Sequence, residues 1–486
     1  MKKVELLHFF TKMNSKNSQM AIDMEETPSH MMDSRSVNIA NKIRLYYSIH
    51  VTKGEELAMD KMDRMDALSL WAATANSYEK EKLLEGNEEA DVVIIGAGFT
   101  GLSSAYHLQK LGKSVIVLEQ ETIGYGASGR NGGMVLPGYK PTVQELAKKY
   151  GVDEARQLND LSLFSVELVK KIIDEHQINC NFRKTGHIVA AYKVKHFEGL
   201  KHESEYLNKN FGYESSVLDR SQLHQEIDSP LYYGCLVDNS SYSFQPLNYA
   251  IGLGEAAKSI GAKIFEHSKA LSIEYGQNSV KVVTEKGAVT AKDIIVATDG
   301  YSGKIMNELN KGVLPISARI IATEQLPESL VSTVIPKDRM VFDTSNFLYY
   351  FRRTPDNRIV FGGGDIRPNL GDTVYQSVYD AMVKIMPKLA GSKIDFRWGG
   401  FIGVTIDTFP VIGRSKEGAY FATGYTGHGA SLSTLFGKLL AQWIVTGSAG
   451  GYRFEKERLK SFPFYNQKTM LVNLAHIGFK LKDIIA

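Results

Sequence analysis

Cysteine is nearly missing from this chain. Among 486 residues only Cys180 and Cys235 occur, far apart and in no C-x-x-C pair. That scarcity excludes a disulfide framework and a thiolate metal centre. Two reduced thiols point to a reducing compartment, so the cytoplasm is the expected location. Long apolar runs are absent too: none approaches the roughly 20 residues that span a bilayer, so no transmembrane segment is expected. The start, "MKKVELLHFF", has two lysines but neither a full apolar stretch nor a small-residue cleavage site, and does not read as a secretory signal. Charge of one sign is also lacking. A net charge of +3 gives no electrostatic footprint for nucleic acid. Repeats, long low-complexity tracts and metal-ligand clusters are not seen. What remains is an ordinary globular composition, 43% hydrophobic and 23% charged, in a chain long enough for two or three domains.

The most informative stretch is "DVVIIGAGFTGLSSAYHL" (91–108). A buried strand runs to Ile95, then Gly96, Gly98 and Gly101 form G-x-G-x-x-G, and a helical pattern follows. The second strand, "SVIVLEQ" (114–120), ends at the carboxylate Glu119. A βαβ unit of this size with an acid in that place is a dinucleotide fingerprint. The first glycine allows a tight turn, the second a close approach of backbone N–H groups to a pyrophosphate, and the third close helix–strand packing. The helix N-terminus adds a partial positive charge, and Glu119 can accept a hydrogen bond from a ribose. The alternative is a glycine-rich turn that serves packing only.

Further glycine clusters favour a flavin over a nicotinamide-only dehydrogenase, each against the plainer reading of a surface loop or an ordinary strand end. "GASGRNGG" (126–133) offers small residues and backbone donors, with Ser128, Arg130 and Asn131 placed for the pyrophosphate and the inner edge of the ring. "IIVATDG" (294–300) is a buried strand ending in small residues, Ala297 and Thr298 among them. "ATGYTGHGASLSTLFG" (422–437) sets Gly424, Gly427 and Gly429 before a helix whose positive end suits an anionic reduced flavin. Thr100 lies on the first helix between the glycines. His428 reads as a flavin neighbour, either in proton transfer or as a structural histidine.

Elsewhere, the helical stretch 153–178 places Leu161, Phe164, Leu168 and Ile172 on one face. Residues 246–266 read as a helix ended by Gly261 and then a strand, 279–300 as a hairpin turned at Lys286-Gly287, and 377–389 as a helix. In "DTSNFLYYFRR" (343–353), alternation sends Tyr350 and Arg352 to one face of a strand and Tyr349, Phe351 and Arg353 to the other. Aromatic rings there can hold an amine or its alkyl chain, and an arginine can pair a remote carboxylate. The competing reading is a half-buried sheet with solvated arginines. Trp398 and Tyr425 are either ring-stacking groups or core. No paired general acid and base stands out.

Together, "DVVIIGAGFTGLSSAYHL", "LEQETIGYGASGRNGG", "WGGFIGVTIDTFPVIG" and "ATGYTGHGASLSTLFGKLLA" make the chain similar to the D-amino-acid-oxidase (DAO) family of FAD-dependent oxidoreductases, from about residue 68 to 447. "SLWAATAN" (69–76) and "GASGRNGG" most resemble its gamma-glutamylputrescine oxidoreductase branch. The resemblance implies an α/β fold: a glutathione-reductase-like FAD-binding domain in discontinuous segments (67–140, 241–310 and 395–450) plus an α+β substrate domain (141–240 and 311–394) with a mixed, mainly antiparallel sheet. Residues 451–486 form a C-terminal extension. Residues 1–66, methionine-rich and polar, read as a mobile extension or as residues upstream of the real start codon. The implied reaction oxidises a C–N bond in an amine by hydride transfer to flavin N5, with O2 or another electron acceptor completing the cycle. Tyr350, Tyr425 and His428 are the candidate catalytic residues; Tyr349, Tyr350, Arg352 and Trp398 are the candidate substrate contacts.

The departures from the family pattern matter as much. The FAD-attaching cysteine of sarcosine-oxidase-like members has no counterpart, and the FAD-attaching histidine of dimethylglycine-dehydrogenase-like members falls at Arg130, so FAD is expected to be non-covalent. Two substrate-carboxylate anchors of sarcosine oxidases fall at Ser431 and Gly133. A lysine implied in oxygen reduction falls near Val360. Small N-methyl amino acids are thereby disfavoured, and oxygen is put in doubt as the acceptor. An amino-acid or sarcosine/glycine-type oxidase of the same fold, or a flavoprotein domain without small-amine turnover, are the alternatives.

Overall fold

The computed structural model describes residues 69–367, 372–456 and 458–485. The expectation for residues 1–66 lies outside the described residues. Two large sheets dominate. The first holds seven strands in one path, in the order 455–456, 411–414, 420–423, 287–296, 86–95, 115–118 and 263–265, extended by the antiparallel strands 280–283 and 272–275. Its centre is parallel: Gly86–Ile95 pairs with Val115–Leu118 on one side and Gly287–Val296 on the other. Helices Phe99–Lys110, Pro246–Ser259 and Gly429–Thr446 pack on one face, and a separate hydrophobic cluster around Val93, Ile116, Val289 and Phe421 fills the other.

The second sheet has eight strands, in the order 394–404, 314–323, 359–363, 349–353, 340–343, 187–190, 234–238 and 215–219. All its pairs are antiparallel except 340–343 with 187–190. The boundary placed at 395 falls one residue inside the strand Ile394–Val404. One face of this sheet is buried by Ile188, Val341, Phe351 and Phe361 against helices Glu328–Val334 and Asp372–Ile385. Its other face carries the small cluster Leu70, Trp71, Ile320, Val360 and Trp398.

The hairpin at Lys286-Gly287 forms as read, with the Thr284 N–H bonded to the Gly287 carbonyl. Gly261 (φ +111°) follows helix Pro246–Ser259. The long helix Val152–His176 departs in one respect: Phe164 is 42% exposed, under the Lys438 ammonium, while Leu168 and Ile172 are buried. Its buried face runs through Ser162 and Ser165, whose hydroxyls bond back to carbonyls of their own helix. Small self-satisfied serines allow the close approach of helix Gly429–Thr446, and counting apolar residues alone misses such a face. Among the described residues, no helix is long and apolar enough to cross a membrane, and no His/Cys/Asp/Glu group is set to hold a metal ion.

Candidate active site

Strand Gly86–Ile95 has its neighbours built in opposite directions along the sheet, so the carboxyl ends of Gly86–Ile95 and Gly287–Val296 form a topological switch point. Ligands of open α/β sheets bind in that crevice. Gly96 lies there at φ +103°, and a Cβ on it would stand 2.9 Å from the Ala297 carbonyl oxygen. A Cβ on Gly98 would stand 2.9 Å from Ser128 Oγ, and one on Gly101 only 2.0 Å from the Gly96 oxygen. Each glycine therefore makes room for a different neighbour. Gly98 caps the helix without a side-chain hydrogen bond. The Ala97 N–H donates to Glu119 Oε2 (2.8 Å) and the Phe99 N–H to Ser128 Oγ (2.9 Å). Burial pushes the Glu119 carboxyl up to about 7, against backbone hydrogen bonds that favour its ionised form.

A residue not picked out from the sequence ties the crevice together. Asp299 follows Ala297-Thr298 with φ +38°. Its Oδ1 accepts from Thr423 Oγ1 (2.7 Å) and the Gly424 N–H (2.9 Å), and its Oδ2 from the Gly403 N–H (3.2 Å). One carboxylate thus joins the end of a first-sheet strand, the turn before the long helix and a strand of the second sheet. Its sequence signal was an Asp-Gly pair at a strand end, but its partners lie more than 100 positions away. The long helix begins at Gly429, with His428 as its cap. It lies so close to helix Phe99–Lys110 that a Cβ on Gly437 would be 2.6 Å from the Thr100 carbonyl oxygen. Gly424 (φ +78°) and Gly427 (φ +95°) shape the turn that brings it there.

The loop 126–133 connects this crevice to the second sheet. Asn131 holds the loop's own shape, donating to the Ala127 and Ser128 carbonyls and accepting from the Gly133 N–H. Arg130 donates to the Tyr125 carbonyl and lies over the Tyr125 ring. Trp71, from the short helix Leu70–Ala73, donates to the Asn131 carbonyl (2.8 Å) and meets Trp398 edge-on at 5.8 Å.

Four side chains named from the sequence have their groups engaged within the fold. Trp398 is fully buried, with Nε1 donated to the Arg130 carbonyl (2.9 Å). Arg352, 2% exposed, donates to the Gly132, Phe244 and Arg353 carbonyls and lies over Trp71. Burial pushes its guanidinium down to about 9. It is neither solvated nor offered to a carboxylate. Tyr425 shares a hydrogen bond with Thr100 Oγ1 (2.7 Å) and packs on Phe436, joining the two helix starts. Tyr349 lies against Phe361 in the cluster on the far face of the sheet.

Tyr350 is on the opposite side, as alternation requires. Its ring fills the space over Gly132 and Gly362, where added Cβ atoms would come within 3.0 and 2.6 Å of it. It is half-buried by surface, yet desolvation raises its hydroxyl well above the usual tyrosine value. His428 is also half-buried, with its imidazole pushed down to about 4 by burial against the opposing effect of the Thr426 main chain, and its buried Nδ1 has no hydrogen-bond partner of good geometry among the described residues. It is neutral near pH 7 and too weak a base there to take a proton readily. Phe342, half-buried on the same face as Tyr350 and stacked on His187 at 5.2 Å, was not picked out from the sequence. Ser431 donates to the Leu136 carbonyl (2.6 Å), and a side chain at Gly133 would meet the Arg352 guanidinium at 2.4 Å.

A glycine cradle at a switch point, an acid at the second strand's end and a helix start whose preceding turn is held by Asp299 suit an extended FAD, for which Gly96, Gly98 and Thr100 would meet the pyrophosphate, Glu119 the ribose and Gly427–Gly429 the ring. Residues 91–443 match the family described as FAD dependent oxidoreductase (DAO), and the chain belongs to that family. It is thus an FAD-dependent oxidoreductase acting on amines or amino acids. It is 36% identical to gamma-glutamylputrescine oxidoreductase of Escherichia coli (strain K12) over 85% of this chain and 98% of that protein. A probable oxidoreductase, OrdL, of Haemophilus influenzae is also 36% identical, over 74% of this chain and 83% of its own length. The fold is like that of glycine oxidase from Geobacillus kaustophilus, with a TM-score of 0.65 at 19% identity, covering 77% of this chain and all of the other.

Proposed function

We propose that this enzyme oxidises the C–N bond of a gamma-glutamylputrescine-like amine to an imine, which water hydrolyses to an aldehyde plus an amine. The observation that carries this reading is the convergence, through Asp299, of the first glycine turn's neighbour strand, the Gly424 turn and the second sheet on one slot. When bound, FAD supplies the two-electron acceptor, its N5 taking hydride from the carbon beside the nitrogen.

The chain's own residues do the rest. The glycine turn and its helix start hold the diphosphate, and Glu119 holds the ribose. Tyr350 and Phe342 give the recess an aromatic wall for an alkyl amine. The low-polarity wall disfavours an ammonium and so delivers the nitrogen with its lone pair free, which can push hydride off the carbon. His428, held neutral, can accept or donate a hydrogen bond through Nδ1 without moving a proton. Both positions that anchor a carboxylate in sarcosine oxidases are otherwise engaged here, Ser431 with Leu136 and the space at Gly133 with Arg352, which supports an amine over a small amino acid. Cys180 and Cys235 are both free and buried in separate hydrophobic clusters, in keeping with non-covalent FAD and a cytoplasmic site of action.

Anaerobic mixing with a panel of amines tests the reading. Gamma-glutamylputrescine is expected to bleach the flavin, and readmitted air to report whether O2 is the acceptor. Bleaching by sarcosine, glycine or D-alanine but by no polyamine derivative overturns it.

A further inference from the structure

Four successive carbonyls of the loop 126–133 are each taken up by a donor from elsewhere in the chain. The Arg130 carbonyl accepts from Trp398 Nε1 (2.9 Å), the Asn131 carbonyl from Trp71 Nε1 (2.8 Å) and the Gly132 carbonyl from Arg352 Nε (2.8 Å). The Gly133 carbonyl accepts the Phe244 N–H (3.1 Å). The three side-chain donors stand in a row: Trp398 meets Trp71 edge-on at 5.8 Å, and the Arg352 guanidinium lies over the Trp71 ring at 5.1 Å. None is more than 3% exposed. Trp398 and Arg352 come from strands Ile394–Val404 and Tyr349–Arg353, while Trp71 lies 20 positions before the family match begins at residue 91. Ser69 Oγ accepts the Trp71 N–H (3.2 Å), and Gln245 Nε2 donates to the Trp71 carbonyl (2.8 Å), which fixes the short helix. In a trans peptide the N–H points opposite to the preceding carbonyl. Turning the Arg130 and Asn131 carbonyls to the row therefore turns the Asn131 and Gly132 N–H groups away from it. Neither N–H has a hydrogen-bond partner among the described residues, although Gly132 is buried. The Gly133 N–H, by contrast, is held by Asn131 Oδ1 (2.9 Å). A buried N–H without a partner is rare and calls for a ligand or water. The two groups lie between the helix starts: Ser128 Oγ accepts the Phe99 N–H (2.9 Å) before them, and the Leu136 carbonyl accepts from Ser431 (2.6 Å) after them.

We propose that Trp71, Trp398 and Arg352 are positioning residues that hold the Asn131 and Gly132 N–H groups toward the flavin ring, so that these donors favour its reduced, anionic form. The inference rests on FAD binding and holds whichever amine is oxidised. Backbone donors already oriented stabilise a developing anion without reorganising, and they act most strongly where water is excluded. A carbonyl released from the row is free to turn toward the ring and oppose the same charge. Arg352 adds its own buried charge in the same direction, because its donors all go to main-chain carbonyls.

The test measures the two-electron midpoint potential of bound FAD, with FAD in excess, in the wild type and in Trp71→Phe, Trp398→Phe and Trp443→Phe. Each change removes one indole N–H and keeps an aromatic ring. Trp443, which meets Tyr420 near the far end of the long helix, is the control. W71F and W398F are each expected to lower the preference for reduced over oxidised FAD about tenfold, a fall of about 30 mV. W443F is expected to leave that preference within about twofold of wild type. Arg352→Met is expected to lower it at least as far, and Arg352→Lys, which keeps the charge and a donor, to lower it less. In the wild type, hydrogen exchange at the Asn131 and Gly132 amides is expected to slow when FAD binds and to slow further when it is reduced. Wild-type potentials in both W71F and W398F, even with weaker FAD retention, reduce the row to a structural role and overturn the proposal. Exchange at Asn131 and Gly132 that FAD leaves unchanged overturns it as well, and that result needs no variant to fold.

Discussion

The two sheets offer a ligand different surfaces. At the first, the surface is main chain: three glycines, two helix starts and the carboxyl ends of parallel strands. At the second, it is side chain: Tyr350 and Phe342 project from strands that pair only through long-range antiparallel registers. A main-chain site is specified locally, since each glycine position excludes any Cβ. A side-chain site tolerates substitution one residue at a time and can change ligand without changing fold. A substitution in the first frame therefore acts through the backbone, and one in the second through a single side chain.

The most severe way to break that contrast is at Gly101. A methyl group there would stand 2.0 Å from the Gly96 oxygen and 3.2 Å from Ile94, with backbone on one side and a buried strand on the other. Overpacking of this kind costs about 3 kcal/mol or more. Gly101→Ala is expected to leave protein with no retained FAD, read as loss of the visible flavin absorbance after gel filtration. Retention of a full complement of FAD would mean that the cradle is side-chain built after all.

Asp299 is the next test, because it belongs to both sheets. Asp299→Ala removes three accepted hydrogen bonds and leaves the Gly424 and Gly403 N–H groups seeking partners. The expected cost is about 3 kcal/mol, shared between stability and FAD affinity. Thermal unfolding with and without added FAD separates the two. A loss that excess FAD fully offsets would place the effect in cofactor binding alone.

Glu119 offers a subtler probe of the main-chain site. Its carboxyl is raised from 4.5 to about 7 in the folded protein, so the folded state binds more protons than the unfolded one between those values. Stability is then highest below pH 4.5 and falls as pH climbs through about 7, by about 1.4 kcal/mol per unit within the window and about 3–4 kcal/mol across it. Denaturant unfolding of protein stripped of FAD is expected to show this slope, and Glu119→Gln to remove it.

How much of this was legible beforehand follows the same division. The βαβ unit, the hairpin at Lys286-Gly287, the helix after Gln245 and the start of the helix at Gly429 all depend on neighbours within a few residues, and glycine or alternation marks them. The clamp made by Asp299 and the capture of Arg352 by the Gly132 and Phe244 carbonyls depend on partners 100 to 220 positions away. Composition reads Arg352 as a surface cation. Only the closed fold shows that its charge is taken up inside the frame. Phe164 failed for a related reason: two buried serines took the helix face that its apolar ring was expected to hold.

The finest test uses two adjacent residues of one strand. Tyr349 and Tyr350 share chemistry and sequence context, and differ only in the face that alternation assigns them. Tyr349 is packed on Phe361 in the cluster away from the crevice, while Tyr350 lies over Gly132 and Gly362 on the opposite face. Removing one hydroxyl from each isolates the face. Tyr350→Phe is expected to change kcat/KM about tenfold, since a hydroxyl in a desolvated site costs about 1.4 kcal/mol when its ligand contact is lost. Tyr349→Phe is expected to stay within about twofold, because that hydroxyl meets no substrate. Parallel measurement of the two variants with the same amine decides the matter. If Tyr349→Phe is the more damaging, the inner face of the second sheet has been assigned backwards. The recess would then have to lie on the side now filled by Phe351 and Phe361, where the helices leave no room for a flavin.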